Sequence, residues 1–336
     1  MILAAVLLAQ AQPALKTITP ESLKAHVRWL ADDERGGRAT PSPGGDASAE
    51  YVAKEFGSFG AKPVNGSYFQ EVPITRRGSG KSLGTARNVV GLLKGSDPKR
   101  SGEIVVLSAH YDHLGTRPGR GPDSIYNGAN DDASGVAGMI EAGRALAKMR
   151  PARSVLLIGF CAEELGLVGS SYYGEHPLLP LKDTVGMVEL EQIGRTDDSE
   201  GARVGAFTVT GFTFSDLPRT LGLAAGTVNV KAQDSPNGDP YFVASDNVAL
   251  AIKGVPAHTV SVAFSYPDYH GPADTWDKLD YVNMAKVVRA VTLGIKRLAE
   301  GHGGEVGVSS VVGEGTVFWV ELPAPRVAAA PVAATA

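Results

Sequence analysis

The sequence predicts an α/β fold in which a doubly wound or mixed sheet carries helices on both faces. Three observations predict it. Apolar runs of strand length recur at residues 88–93, 104–109, 154–160 and 186–190, the pattern of strands covered on both sides. Helix-length segments with apolar residues at helical spacing alternate with them. Hydrophobic residues make up 43% of the 336, enough for a real core in one large domain or two modest ones.

Taken in order, residues 1–8 are nearly all apolar, and Ala9-Gln10-Ala11 offers a small-x-small cleavage site before Gln12. Residues 1–11 therefore read as a secretory leader, although a basic start is missing; a buried N-terminal helix is the alternative. The run is too short to span a membrane. The main domain is expected over 18–300. Residues 20–31 form an amphipathic helix with Leu23, Val27 and Leu30 on one side, and a second helix covers about 46–56, stopping at Gly57. After strands 88–93 and 104–109 comes a helix over 131–149, with Asp131, Asp132 and Ser134 at its start and Lys148 and Arg150 at its end, as the helix dipole favours. Strands at 154–160, 186–190, 203–210 and 256–262 follow, and a long helix over 281–299 closes the domain. Residues 301–323 read as an appended β-hairpin with Gly313 and Gly315 in its turn. They look like the last hairpin of a histidine-kinase ATP-binding domain, a gene-fusion remnant being the other reading, but the chain has no room for the rest and no nucleotide binding is predicted. Residues 324–336, rich in Ala and Pro, are expected to be disordered.

Composition excludes some functions. The formal net charge is -4 with both signs dispersed, and no basic block argues for nucleic acid. The single cysteine, Cys161, permits no intramolecular disulfide and no multi-thiolate metal site.

The chemistry sits in five clusters. His110-Tyr111-Asp112 ends an apolar strand, and residues two apart on an extended chain share a side, so a carboxylate can hold one ring nitrogen while the other binds a metal. Asn127 to Gly135 brings Asp131 and Asp132 to a helix start, where paired acids usually cap. Glu163-Glu164 follows another buried strand directly. Charge at a core edge is costly unless paired or metal-bound, and of two neighbours pointing apart one can bind metal while the other acts as general base. Glu189-Leu190-Glu191 ends a further apolar stretch, and His270 lies in Tyr269-His270-Gly271-Pro272-Ala273-Asp274-Thr275. Each is ordinary alone. Together they can converge on one sheet edge, and carboxylates with histidine but no thiolate suit Zn²⁺, or Mn²⁺ and Co²⁺.

The motifs Ala-His-Tyr-Asp-His-Leu-Gly (109–115), Asn-Gly-Ala-Asn-Asp-Asp-Ala-Ser-Gly (127–135), Ala-Glu-Glu-Leu-Gly-Leu-Val-Gly-Ser (162–170) and Tyr-His-Gly-Pro-Ala-Asp-Thr (269–275) occur in this order. In them the chain resembles the co-catalytic di-zinc aminopeptidases, whose superfamily includes glutamate carboxypeptidase, the transferrin-receptor ectodomain and glutaminyl cyclase. The resemblance covers about residues 20–300. It implies a three-layer α/β/α sandwich with a mixed, mostly parallel central sheet, and an enzyme that removes N-terminal residues from peptide substrates; the leader adds a secreted or periplasmic location, with no stable membrane insertion once it is cleaved. The resemblance further implies two divalent ions bridged by Asp131, one completed by Glu164 and His270 and the other by His110 and Glu191. Asp112 would orient His110, and Glu163 would be the general base, taking a proton from the bridging water and delivering one to the leaving amine.

There are departures from the family pattern. The family usually has Asp where this chain has Glu191, and an apolar residue at Gln192; the longer side chain bears on the space for the substrate's amino end. A Tyr oxyanion donor before Ser-Asp-His in some members has only Tyr241 and Ser245-Asp246-Asn247 as a counterpart. The other readings are a glutaminyl cyclase-like acyltransferase using one zinc, a non-catalytic receptor-type domain, and a carboxypeptidase or dipeptidase. The candidates present at all five ligand positions favour two ions and catalysis.

Overall fold

The structure, a computed structural model, describes residues 11–301 apart from 77, 119–122 and 236–237, and beyond them the backbone of 306–311 and 315–320. The leader expected at 1–11, except its last residue, and the tail 324–336 lie outside the described residues. Residues 11–15 are helical, and Ala11, Ala14 and Leu15 pack into the core.

The main sheet has nine strands: β1 (Lys62–Pro63), β2 (Phe69–Thr75), β3 (Ser82–Leu93), β4 (Ile104–His110), β5 (Ser154–Phe160), β6 (Thr184–Leu190), β7 (Ala206–Val209), β8 (Lys231–Gln233) and β9 (Ala257–Ser261). Their order is β1-β3-β5-β4-β6-β9-β7-β8, with β2 also paired to β3. The pairs β4–β5, β4–β6, β6–β9 and β7–β8 are parallel. The remaining pairs, at β1, β2 and β3 and between β7 and β9, are antiparallel, which makes the sheet mixed with a parallel centre. Val306–Val311 and Gly315–Val320 pair antiparallel in a separate two-stranded sheet, Gly315 opening the second strand.

Strand periodicity builds two cores. Val105, Leu107, Val155 and Leu157 point into the larger one, whereas Ile104, Val106, Leu156 and Ile158 point into the smaller one on the other face. The principal helices are α1 (Pro20–Leu30), α2 (Pro43–Ser58), α3 (Ser134–Met149), α4 (Val168–Glu175), α5 (Leu217–Gly226), α6 (Asn247–Ala251) and α7 (Tyr281–Glu300). Leu23, Val52, Ile140, Leu221 and Val288 bring α1, α2, α3, α5 and α7 onto the larger core. Tyr173 and Leu250 bring α4 and α6 onto the smaller. The result is the three-layer α/β/α sandwich.

Capping chemistry adjusts the expected boundaries. The second helix starts at Pro43 rather than near Asp46, because Ser42 Oγ accepts the Gly45 amide and proline suits a first helical turn. It runs one residue past Gly57. The helix expected from Asp131 begins only at Ser134; Asp131 and Asp132 have non-helical backbone in the turn before it. Strand β2 carries no signal as clean as its neighbours, since Pro73 interrupts it on its exposed side. Among the described residues, no helix is long and apolar enough to cross a membrane.

Candidate metal centre

Because β4, β5, β6 and β9 run parallel, their carboxyl ends share one edge, where open α/β sheets place their sites. His110 is the last residue of β4, Glu163 and Glu164 follow β5, Glu191 follows β6, and His270 lies in the loop after β9. Asp131 comes from the turn before α3. All six positions expected from the sequence to hold metal or act as base therefore meet at one end of the sheet.

Asp131 lies between the two histidines. Its Oδ1 is 3.3 Å from His110 Nε2, and its Oδ2 is 3.1 Å from His270 Nε2. His270 Nε2 is also 3.4 Å from Glu164 Oε2. His110, Asp131 and Glu191 offer ligand atoms within 4.8 Å of one another, and so do His113, Asp131 and Glu164. One carboxylate thus faces two donor groups through its two oxygens. His113 was not among the residues the sequence singled out for metal; its ring is fully enclosed at this second group.

The backbone is pinned to hold this arrangement. Asp274 accepts hydrogen bonds from the amides of Asn130 and Asp131, and from the Tyr266 hydroxyl, at 3.0–3.1 Å. Asp132 Oδ1 accepts the Gly135 and Gln192 amides, each at 3.0 Å, so it caps α3 and ties the turn to the β6 loop. The adjacent acids divide the work: Asp132 caps and Asp131 enters the site. Buried Arg38 donates to the carbonyls of Tyr111, Asn127 and Gly128, tying the segment between His110 and His113 to the turn that leads into Asp131. Asp112, expected to orient His110, has its main-chain carbonyl nearer His110 Nδ1 (3.2 Å) than its Oδ1 (3.8 Å). The same Oδ1 accepts the Glu163 amide at 3.0 Å, so the carboxylate also positions Glu163. Ala162, Gln192 and His270 have φ of 57°, 55° and 52°. Such backbone costs about 1–3 kcal/mol each and clusters at functional sites.

Charge here is unbalanced toward carboxylate. Burial pushes Glu163 well above the usual range, with Glu191, Asp246 and Glu164 adding to it, and burial raises Asp132 and Glu189 likewise. Burial would also raise Asp131, but His110, His270 and His113 hold it low. Burial opposes the charged form of His270, yet Asp131 and Glu164 carry its pKa up to about 10. Buried His110 Nε2, Glu164 Oε1 and both ring nitrogens of His113 have no hydrogen-bond partner. Unpaired imidazole nitrogen beside carboxylate oxygen, with no thiolate among these groups, is a donor set that fits Zn²⁺.

His270 must release its proton before Nε2 can bind an ion. Zinc affinity at its site should therefore rise with pH, by at least about tenfold per unit between pH 6 and 8. Competition with a chromophoric chelator measures this, and an affinity flat across that range would mean that no proton leaves His270 on binding.

The site opens into a cleft of about 370 Å³ lined by Glu163, Glu191, Leu167, Tyr241, Phe264 and Tyr269 among others. Tyr241 stacks on Phe264 with ring centroids 4.4 Å apart.

Comparison with known proteins bears on this geometry. Residues 88–293 match peptidase family M28. The chain is 27% identical over 296 residues to the uncharacterized protein YfbL of Escherichia coli, covering 81% of this chain and 86% of that one. It is 38% identical over 92 residues to aminopeptidase YwaD of Bacillus subtilis, covering 27% of this chain and 18% of the relative's length. The fold is similar to BSAP, a zinc aminopeptidase from Bacillus subtilis, with a TM-score of 0.67 at 17% identity, covering 84% of this chain and 96% of that one.

Proposed function

Because the chain belongs to peptidase family M28, we propose that it is a secreted or periplasmic aminopeptidase holding two zinc ions, with Glu163 as its general base. Zinc-dependent metallopeptidase chemistry comes with the family and with its aminopeptidase relatives. The number of ions, the residue roles and the compartment are our reading. The observation that carries it is Asp131, whose two oxygens face His110 on one side and His270 with Glu164 on the other.

In this reading Asp131 is the shared ligand, His110 and Glu191 hold one ion, and Glu164 and His270 the other. When bound, the ions would polarise the scissile carbonyl and stabilise the oxyanion that forms there. Glu163 takes a proton from the attacking water and returns it to the departing amine nitrogen. A carboxyl raised by burial suits both transfers, because its proton affinity is moved toward the working pH. The Asp112 contact to the Glu163 amide keeps that carboxyl at the cleft. In this reading the substrate's free amine meets Glu191 and its first side chain meets Leu167, Tyr241 and Phe264, all of which line the cleft. Glu191 Oε1 accepts the Gln192 side-chain amide at 3.1 Å, so the two departures from the family pattern occur as a bonded pair at the amine-binding end. Export is supported by the apolar run of residues 1–8 and the cleavage site before Gln12. N-terminal sequencing of exported protein should begin at Gln12; a retained Met1 would count against it.

The decisive assay is hydrolysis of amino-acid arylamides and their N-blocked counterparts, before and after chelation and after zinc is restored. Chelator-sensitive release from free-amine substrates alone is expected. Protein that holds two ions but releases none of them would point to a carboxypeptidase, dipeptidase or cyclase, with Glu191 the first residue to change.

A further inference from the structure

His113 has no role in the reaction just described, yet it is placed like a ligand. Its ring is fully buried, and its Nδ1 lies 2.7 Å from Glu164 Oε1 and 3.9 Å from Asp131 Oδ2. Despite the short approach to Glu164, neither ring nitrogen is aligned for a hydrogen bond, and Glu164 Oε1 has no hydrogen-bond partner either. His110 Nε2 shows the same combination: complete burial, no hydrogen-bond partner, and a carboxylate oxygen of Asp131 close by. A buried imidazole nitrogen left unpaired is costly unless something else fills its lone pair.

Space has been made for this ring. A Cβ at residue 128 would come within 2.5 Å of His113 Cγ and Cδ2, and Gly128 has a φ of 57°, a backbone that glycine adopts without strain. The glycine before the acids therefore serves His113 as well as the turn. The ring also stands edge-on to His270, with centroids 5.8 Å apart. His270 approaches Glu164 through Oε2 and His113 approaches it through Oε1, so both imidazoles address the same carboxylate from different sides.

We infer that His113 Nδ1 is a further protein ligand of the zinc ion on the Glu164 and His270 side, giving that ion two imidazole and two carboxylate donors. The other ion keeps one imidazole, from His110, with Asp131 and Glu191. The two sites then differ in donor set, and the imidazole-rich one should be the tighter for zinc over harder ions such as Mn²⁺. This inference rests on the two-ion reading above, and the experiment separates the two.

Full-length protein labelled with ¹⁵N in its histidine rings is freed of metal, then loaded with zinc, and its ring-nitrogen spectrum and ion content are recorded. Three zinc-bound ring nitrogens are expected, from His110, His113 and His270. The His113 signal is identified by its absence from the spectrum of His113→Gln. A His113 ring that keeps its metal-free signals after loading overturns the inference, even if His113→Gln also weakens zinc, because a residue that only positions Glu164 would behave so. Calorimetric zinc titration of His113→Gln should show one affinity unchanged and the other weaker by about tenfold or more. Two unchanged affinities also overturn it. If the variant fails to fold, the wild-type count decides: three bound ring nitrogens support the inference and two defeat it. Ion content answers the separate question: wild-type protein saturating at one zinc would defeat the two-ion reading, while the state of the His113 ring still decides its own assignment.

Discussion

Replacing Glu163 with glutamine should lower kcat by about 10²–10⁴-fold while leaving zinc content and thermal stability near wild type. Glutamine keeps the size and polarity of the side chain but cannot take a proton from water or return one to the amine. The main-chain anchor at Asp112 Oδ1 does not involve the side chain and survives the change. The proton transfer is thus removed with little else disturbed. Kinetics on a free-amine arylamide, with elemental analysis of the same preparation, test this. A kcat within a few-fold of wild type at full zinc occupancy would remove Glu163 from the role of base. Loss of zinc together with activity would make it a ligand instead.

Asp131→Ala is expected to act on both ions at once. Its two oxygens lie 3.3 Å from His110 Nε2 and 3.1 Å from His270 Nε2, so truncation takes a donor from each group. Zinc content after dialysis should fall from two per chain to below one, and turnover should fall with it to the limit of detection. A ligand of one ion alone would cost one ion and spare the other's affinity. Unchanged stoichiometry by elemental analysis would refute the bridging role. The metal-free variant should fold, because Asp274 and Asp132 secure the turn through main-chain amides and not through the Asp131 side chain.

Much of this site is legible in the sequence. The apolar runs that end in His110, Glu163-Glu164 and Glu191 are β4, β5 and β6, and their strand length identifies them whatever their order in the sheet. The division of labour between Asp131 and Asp132 is legible there only through the family resemblance, which makes Asp131 the shared ligand and gives Asp132 no role. Two adjacent acids at a helix start look alike, and only backbone conformation turns one into the site and the other onto amides at Gly135 and Gln192. Asp274 is visible only as part of a motif; its work is to bind amides 143 and 144 residues away.

What the sequence by itself determined is the kind of chemistry: hard oxygen and imidazole donors, without thiolate, set at the ends of buried strands. That follows from local facts, namely composition, strand length and the cost of charge beside a core. Tertiary structure decided which of these groups come together. Parallel pairing of β4, β5, β6 and β9 brings their carboxyl ends to one edge, and the turn at 129–133 swings Asp131 between them. His113 shows the difference most clearly. In the chain it is one more polar residue after a strand. In the fold its ring is sealed against Glu164, 51 residues on, in space that only a glycine at 128 leaves open. Metal coordination depends on distances of a few ångströms between residues far apart in the chain, and folding alone sets those distances.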